Sequence, residues 1–380
     1  MKELKNRLCQ LTDQYAFILS DIADYLHSNP ELGCEEIKAS GYLKKILMKH
    51  GFRITNQLSE AFPTAFQATK GFGKLHIGFL AEYDALPEIG HGCGHNLIAA
   101  MSLTAGIVCS ELLEDMVTVH VFGCPAEETI GSKVMMSEQG IFHGLQAALI
   151  CHPASETTFG GTSYATHPLQ ITFIGKPAHV ADPEYHGINA LDALVDFYQK
   201  LKELEKTFTQ PYILGKIITQ GGTAPNIIPE KAVMKATIRS LSAEYLEGVM
   251  LPQIKELAQK ISAGHGTRLD LFHYEPLFKN MLNNKQLENY TRNNFITLGI
   301  KDIKNYPDDY ADGSTDVGNV SHLVPTIQPE IKIGDGIAAH TPEFAAAAHS
   351  QYAKDMALLA VKGMCMTVAD IIEFKPFGKY

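Results

Sequence analysis

Three apolar stretches of strand length each run out into a cluster of polar, chemically active side chains: LHIGFLAEYDALP (75–87), VTVHVFGCPAEE (117–128) and AALICHP (147–153). Helix-like segments separate them, among them LIAAMSLTAGIVCSELLED (97–115). Buried strands alternating with helices call for an α/β fold, a mostly parallel sheet sandwiched by helices. In such sheets the ligand crevice lies beyond the carboxyl ends of the strands. The segments AEYDALPEIGHGCGHN, CPAEET and CHP therefore converge on one edge.

A chain of 380 residues exceeds the usual single core, so a second domain is expected. From residue 167 the pattern changes to strand (LQITFIGK), helix (GINALDALVDFYQKLKELE), two strands (GKIITQGG, KAVMKATIRS), helix (EGVMLPQIKELAQKI) and strand (TRLDLFHY). This βαββαβ run reads as an inserted two-layer module over 167–278, interrupting a catalytic domain made of 1–166 and 279–380. In the last part, VPTIQPEIKIG reads as one strand and QYAKDMALLAVKGMCMTVADIIEF as a closing helix. The first 50 residues read as two amphipathic helices separated by SNPELGCEE, with Glu35 and Glu36 at the positive start of the second. The N-terminal pattern fits neither a signal peptide nor a membrane span, and a cytoplasmic protein is expected.

The net charge of -10 argues against a nucleic-acid binder and for attraction of cations. The seven cysteines are odd in number and scattered, which fits free thiols better than a disulfide framework. Cys109 and Cys365 lie in apolar helical patterns and read as core; Cys93 alone has polar company.

Cys93 sits in GHGCGHN (90–96), whose glycines let alternate side chains point at one centre, so that Cys93 and His95 suit a metal ion. The structural alternative is a glycine-rich loop with hydrogen-bonded histidines. Glu127 and Glu128 are adjacent carboxylates that repel one another unless a cation or proton separates them. His152 in CHP and His340 in AAHTPEF follow further strands. Mixed N, O and S ligands suit zinc, manganese, cobalt or iron. Five side chains (Cys93, His95, Glu128, His152 and His340) exceed the four of one structural zinc and favour a two-metal or open catalytic site. Glu127 is then free to act as general base. Asp84 reads either as a carboxylate orienting a ligating imidazole or as a turn aspartate. A rival enzyme class makes Cys93 a thiol nucleophile with His95 or His91 as its base. GSTDVGN (313–319) lacks the lysine and spacing of a phosphate loop and reads as a helix cap by Ser314 and Asp316.

At these residues the chain resembles the metal-dependent amidohydrolases that include aminoacylases, carboxypeptidase G, hippurate hydrolase and aminobenzoyl-glutamate hydrolase, in the branch whose first ligands come as Cys-Gly-His. NPELGCEE, AEYDALP, GHGCGHN, CPAEE, CHP, GKPAHVADPEYHGINAL, GTAPNIIPE, ATIRS, GSTDVGNVS and AHTPEF occur in family order. The resemblance implies metal ligands at Cys93, His95, Glu128, His152 and His340, a catalytic base at Glu127 and a metal-orienting aspartate at Asp84. It implies two divalent ions per chain, zinc or manganese with cobalt as a further option, and a homodimer formed through the inserted lid domain, with higher assembly open. It also implies an oxyanion-stabilising lid histidine at His179, a substrate contact at Asn226, and Arg239 as a partner for a substrate carboxylate. Asn96 stands where an aspartate commonly follows the ligand histidine, which looks more like the aminobenzoyl-glutamate hydrolase and dipeptidase-like members. The family's further lid arginine has no match in LFHYEPLFKN (271–280). The expected activity is hydrolysis of an amide bond in N-acyl or N-aroyl amino acids or dipeptides, with no nucleic-acid or membrane partner. The cysteine-nucleophile hydrolase and a non-catalytic dimeric scaffold remain as alternatives.

Overall fold

The computed structural model describes residues 1–56, 58, 61–182 and 186–374. The middle of the GKPAHVADPEYHGINAL motif, residues 183–185, lies outside them. The chain forms two compact units: residues 1–162, 281–310 and from 315 on make one, and residues 163–280 with 311–314 make the other.

The first unit opens with helices α1 (Lys2–Gln14), α2 (Ala16–Ser28) and α3 (Ile37–Lys49). Strands β1 (Arg53–Asn56), β2 (Phe66–Lys70) and β3 (Leu75–Glu82) come next, then α4 (His95–Leu112), β4 (Val117–Cys124), α5 (Ser132–Glu138), β5 (Ala147–Leu149), β6 (His152–Ala154) and β7 (Thr158–Gly160). In the second unit lie β8 (Ala165–Ile174), α6 (Ala190–Glu205), β9 (Tyr212–Gln220), β10 (Lys231–Ser240), α7 (Ala243–Tyr245), a π-helical turn (Leu246–Met250), α8 (Leu251–His265) and β11 (Arg268–Phe272). The first unit resumes with α9 (Lys285–Thr297), β12 (Lys304–Tyr306), α10 (Val317–Ser321), β13 (Thr326–Ile327), β14 (Glu330–Lys332), α11 (Pro342–Ala348) and α12 (Gln351–Phe374).

The main sheet has the order β1-β2-β4-β3-β5-β13. It is parallel from β4 through β3 and β5 to β13 and antiparallel where β2 meets β4 and β1. Helix α4 is buried along residues 95–110, as its apolar residues on every side require, with α2 and α12 packed against it. The register runs from Leu75 opposite Val117 to Glu82 opposite Cys124, so β3 and β4 end level. Asp84, just past the end of β3, and Glu127 and Glu128, just past the end of β4, thus emerge at one edge.

Two elements differ from expectation in the first unit. The N-terminal helix breaks at Tyr15, whose hydroxyl donates to Glu111 Oε1 at 2.7 Å, and its halves differ in their main partner, α12 for α1 and α4 for α2. VPTIQPEIKIG is two short strands: Pro329, which has no N–H to give, separates β13, paired with β5, from β14, paired with β6.

The second unit is the expected βαββαβ module, an antiparallel sheet of order β11-β8-β10-β9. Its own core joins the sheet to α6 and α8 through Phe173, Phe197, Leu201, Met234 and Ile254. Among the described residues no helix is long and apolar enough to cross a membrane.

Candidate metal centre

Each donor arrives by a local device. Gly94, at φ 78°, ends the GHGCGHN loop and starts α4; a Cβ there would come within 2.4 Å of Pro153, so only glycine lets the loop close on the His152 segment. This brings Cys93 Sγ to 3.5 Å from His152 Nε2. His340 adopts φ 64° and its N–H donates to the Gly92 carbonyl at 2.9 Å, which carries its imidazole back to the loop. Its Nε2 lies 3.2 Å from Glu128 Oε1.

His95 is the buried hub. Its Nδ1 lies 2.9 Å from Asp84 Oδ1, and its Nε2 lies 3.8 Å from Glu128 Oε1 and 4.0 Å from Glu127 Oε2. Asp84 Oδ2 accepts the Glu128 N–H at 3.0 Å, so one carboxylate holds both an imidazole and a neighbouring loop. Asp84 is therefore no surface turn residue. Burial opposes its charge, yet the His95 contacts and the Glu128 N–H hold its pKa below the usual range.

The donor atoms fall into groups within 4.8 Å: Cys93 with His95 and His152, Cys93 with Glu128 and His340, and His95 with Glu127 and Glu128. Cys93 belongs to the first two groups. His95 Nε2 is buried without a hydrogen-bond partner, and Glu128 Oε1 faces only the His340 and His95 imidazoles, at 3.2 and 3.8 Å, a costly condition that a shared cation relieves. Soft sulfur beside imidazole and carboxylate suits a transition-series divalent ion such as zinc. Burial pushes the Cys93 thiol well up, against the opposing pull of His95. Burial, reinforced by Glu82 and Asp316, likewise raises the pKa of Glu127 far above the carboxylate range.

Behind Glu127 lies a group that the motifs did not reveal. Lys133, wholly buried on α5, places Nζ 2.8 Å from Glu82 Oε1 and 2.5 Å from Asp316 Oδ1, and its N–H donates to Asp316 Oδ2 at 2.9 Å. Burial alone would discharge the ammonium, but Asp316 and Glu82 outweigh it and hold it charged. Asp316 therefore does not cap α10 with its side chain, as expected, but binds this lysine. Ser314 instead bonds Thr166, with 2.7 Å between the hydroxyls. A signal for Glu82 was available: two residues before Asp84, it shares that residue's strand face. Lys133, in SKVMMSE, had none.

Asn96 turns away from this centre, its amide donating to the Ala23 and Ala348 carbonyls at 3.3 Å each. His91 is also structural, its Nε2 lying 3.1 Å from the Leu26 carbonyl. In the second unit, His179 bridges antiparallel to Ile227, and the Val180 N–H donates to the Asn226 carbonyl at 3.1 Å, so the His179 and Asn226 segments are neighbours. Arg239 lies apart from them near the end of β10, opposite Thr166 and Ile213.

Residues 168–265 match the model of the peptidase dimerisation domain of M20 enzymes. Over 392 aligned residues the chain is 33% identical to the Xaa-Arg dipeptidase of Mus musculus, covering 98% of this chain and 90% of that protein. The chain belongs to the M20 peptidase family. A second M20 relative, one of the subunits of the p-aminobenzoyl-glutamate hydrolase of Escherichia coli, is 33% identical over 248 residues, 58% of this chain and 50% of that one. Two solved structures share the fold. One, a Bacillus subtilis protein described as a dinuclear metal-binding M20 peptidase, superposes with a TM-score of 0.66 at 21% identity, covering 92% of this chain and 98% of that one. The other, an aminobenzoyl-glutamate utilization protein from Klebsiella pneumoniae, gives 0.68 at 18% identity, covering 93% and 98%. This M20 chain is accordingly a metal-dependent amidohydrolase or peptidase. The thiol-nucleophile and scaffold alternatives give way to this membership; of the two bases considered for the thiol, His95 groups with Cys93 and His152 as a donor, and His91 bonds the Leu26 carbonyl.

Proposed function

We propose that the enzyme hydrolyses the amide bond of dipeptides or of N-acyl or N-aroyl amino acids, with Glu127 moving the proton. Five donors, Cys93, His95, Glu128, His152 and His340, would hold two divalent ions, zinc or manganese. Such ions polarise a carbonyl and ease deprotonation of water. Glu127 takes the proton of the attacking water and returns it to the departing nitrogen. Asp84 keeps His95 in one tautomer through Nδ1. His179 stabilises the oxyanion, Asn226 contacts the substrate, and Arg239 offers a planar fork for its free carboxylate. The names of the two relatives, one a dipeptidase and one acting on an aroyl amino acid, support the substrate class.

The observation that carries this reading is the convergence of the Cys93, His95, His152, Glu128 and His340 donor atoms in overlapping groups beside Glu127, with His95 Nε2 buried and without a hydrogen bond. Protein purified without chelator is expected to hold two metal ions per chain and to hydrolyse members of a panel of dipeptides, N-acyl amino acids and aminobenzoyl-glutamate. EDTA should abolish turnover, and Glu127→Gln should lower kcat by roughly 10³-fold with metal retained. Activity that survives EDTA but not alkylation of Cys93 would overturn it.

The second unit supports a homodimer. Strand β9 is one of the sheet's two edges and exposes Ile213, Ile217 and Ile218, the middle one 63% exposed. Sedimentation should show twice the chain mass for the native enzyme and one chain for Ile217→Lys.

A further inference from the structure

The segment SNPELGCEE (28–36) carries none of the roles above, yet it is stitched to two of the loops that do. The Ala85 N–H, one residue after Asp84, donates to the Glu31 carbonyl at 2.8 Å, and Leu32 bridges Ala85 in parallel. A Cβ on Gly33 would come within 2.5 Å of Thr129 Oγ1 and 3.1 Å of Ala126 Cα, so the segment lies directly on the loop carrying Glu127 and Glu128.

The expected use of Glu36, an acid favouring the start of α3, is taken over by Glu31. Its two carboxylate oxygens accept the Lys38 and Ala39 N–H groups at 3.1 and 2.9 Å. Glu36 instead turns inward and is 0% exposed. Its Oε1 accepts the Ala126 N–H at 2.8 Å and its Oε2 accepts the Thr64 hydroxyl at 3.1 Å. Thr64 is itself fixed, its carbonyl accepting the Ser40 and Tyr83 hydroxyls at 2.6 and 2.8 Å. Ala126 has φ 60°, a left-handed conformation that residues with a Cβ avoid, and it immediately precedes Glu127. Its carbonyl accepts the Gly131 N–H at 2.7 Å, so both of its backbone groups are held, one by the loop and one by Glu36.

We propose that Glu36 is a positioning residue: its buried carboxyl group clamps the left-handed Ala126 peptide and so sets where Glu127 and Glu128 point. The inference rests on the roles proposed above for those two residues. An acceptor at this point is what the clamp needs, and a full negative charge is not. In keeping with that, burial pushes the Glu36 carboxyl up to about 7.

Glu36→Leu removes the acceptor at similar size, and Glu36→Gln keeps an amide oxygen for Ala126. For Glu36→Leu, kcat should fall roughly 10–100-fold, and the weaker of two zinc-binding steps, measured by calorimetry on metal-stripped protein, should loosen about tenfold. KM should stay within about threefold, and Glu36→Gln should restore both kcat and zinc affinity to within about threefold of the native values. A merely structural role would lower the fraction of active protein without changing the affinity of the sites that remain. Should Glu36→Leu not fold, Glu36→Asp, which keeps the charge but falls a methylene short of Ala126, takes its place with the same expectation. Native kcat and zinc affinity in the variant without the acceptor would overturn the proposal, as would a Glu36→Gln variant as impaired as Glu36→Leu. If Glu127→Gln proves fully active, the reading of the base fails, and the zinc affinities still decide the clamp.

Discussion

The two sides of His95 carry similar burdens of buried acid and resolve them differently. On one side Glu82 Oε2 lies 3.7 Å from His95 Nε2, and Glu82 and Asp316 share the ammonium of Lys133. On the other, Glu128 groups with Cys93 and His340, and among the described residues its ion partners are histidines, His340 at 3.2 Å and His95 at 3.8 Å, rather than a fixed ammonium. Glu127 belongs to both, within 4.8 Å of Glu82 and Asp316 in one group and of His95 and Glu128 in the other. What separates a structural acid cluster from a metal site is therefore not the number of acids but whether the chain supplies its own cation. Lys133 is in effect a resident counter-ion next to positions suited to exchangeable ones, and it leaves Glu127 as the acid that neither a lysine nor a ligand role claims.

Removing that counter-ion is the strongest way to break the comparison. Lys133→Met leaves Glu82 and Asp316 buried without a partner, and losing one member of such a group costs about 3–5 kcal/mol. For a unit of this size that is a fall of roughly 10 °C in the melting temperature. Adding Glu82→Gln should return part of it, because one of the stranded charges is then gone. Calorimetric scans of the three proteins decide the matter: if Lys133→Met melts with the native enzyme, the ammonium is not what neutralises this side.

The same contrast explains what the sequence made legible. Cysteine and histidine are uncommon at strand ends, so Cys93, His95, His152 and His340 announced a metal site, and the adjacent Glu127 and Glu128 joined them because neighbouring like charges need a reason. Lys133 announced nothing: a lone lysine in a short helix normally faces water, and only the fold brings it to Glu82 and Asp316, 51 and 183 residues away. Asp316 reads as a cap because capping is the local use of an aspartate before a helix, and a long-range partner displaced the local one. Glu36 departs from its sequence reading for the same reason. The second unit was legible as βαββαβ because its strands alternate and its helices keep a 3.6-residue period, whereas His179 and Asn226 have no chemical signature of their own and stand out only by resemblance.

A smaller effect sharpens the comparison from outside the site. His76 and His120 lie side by side on β3 and β4, with 2.9 Å from His76 Nδ1 to His120 Nε2, and the other side-chain partners of His120 are Gln67 and Thr69, at 2.9 and 3.2 Å. Among the described residues no carboxylate is bonded to this pair. Burial, and then the charge of His76, pushes His120 down to about 4, the reverse of His95, where Asp84 and Cys93 overcome burial and raise the pKa. A histidine depressed in the folded state costs nothing above its unfolded pKa near 6.5. As pH falls from there toward 4 the unfolded chain gains the proton first, and stability is lost. The loss is at most about 3 kcal/mol, from about 1.4 kcal/mol per unit. His120→Asn cannot take that proton, so its denaturation midpoint should fall less steeply than the native one between pH 6.5 and 4, with the two curves parallel above about pH 7. Equal slopes through the acid range would mean that a cation-free histidine pair is as tolerant of charge as His95 beside its carboxylate, and the distinction between sites with and without a counter-ion would lose its electrostatic basis.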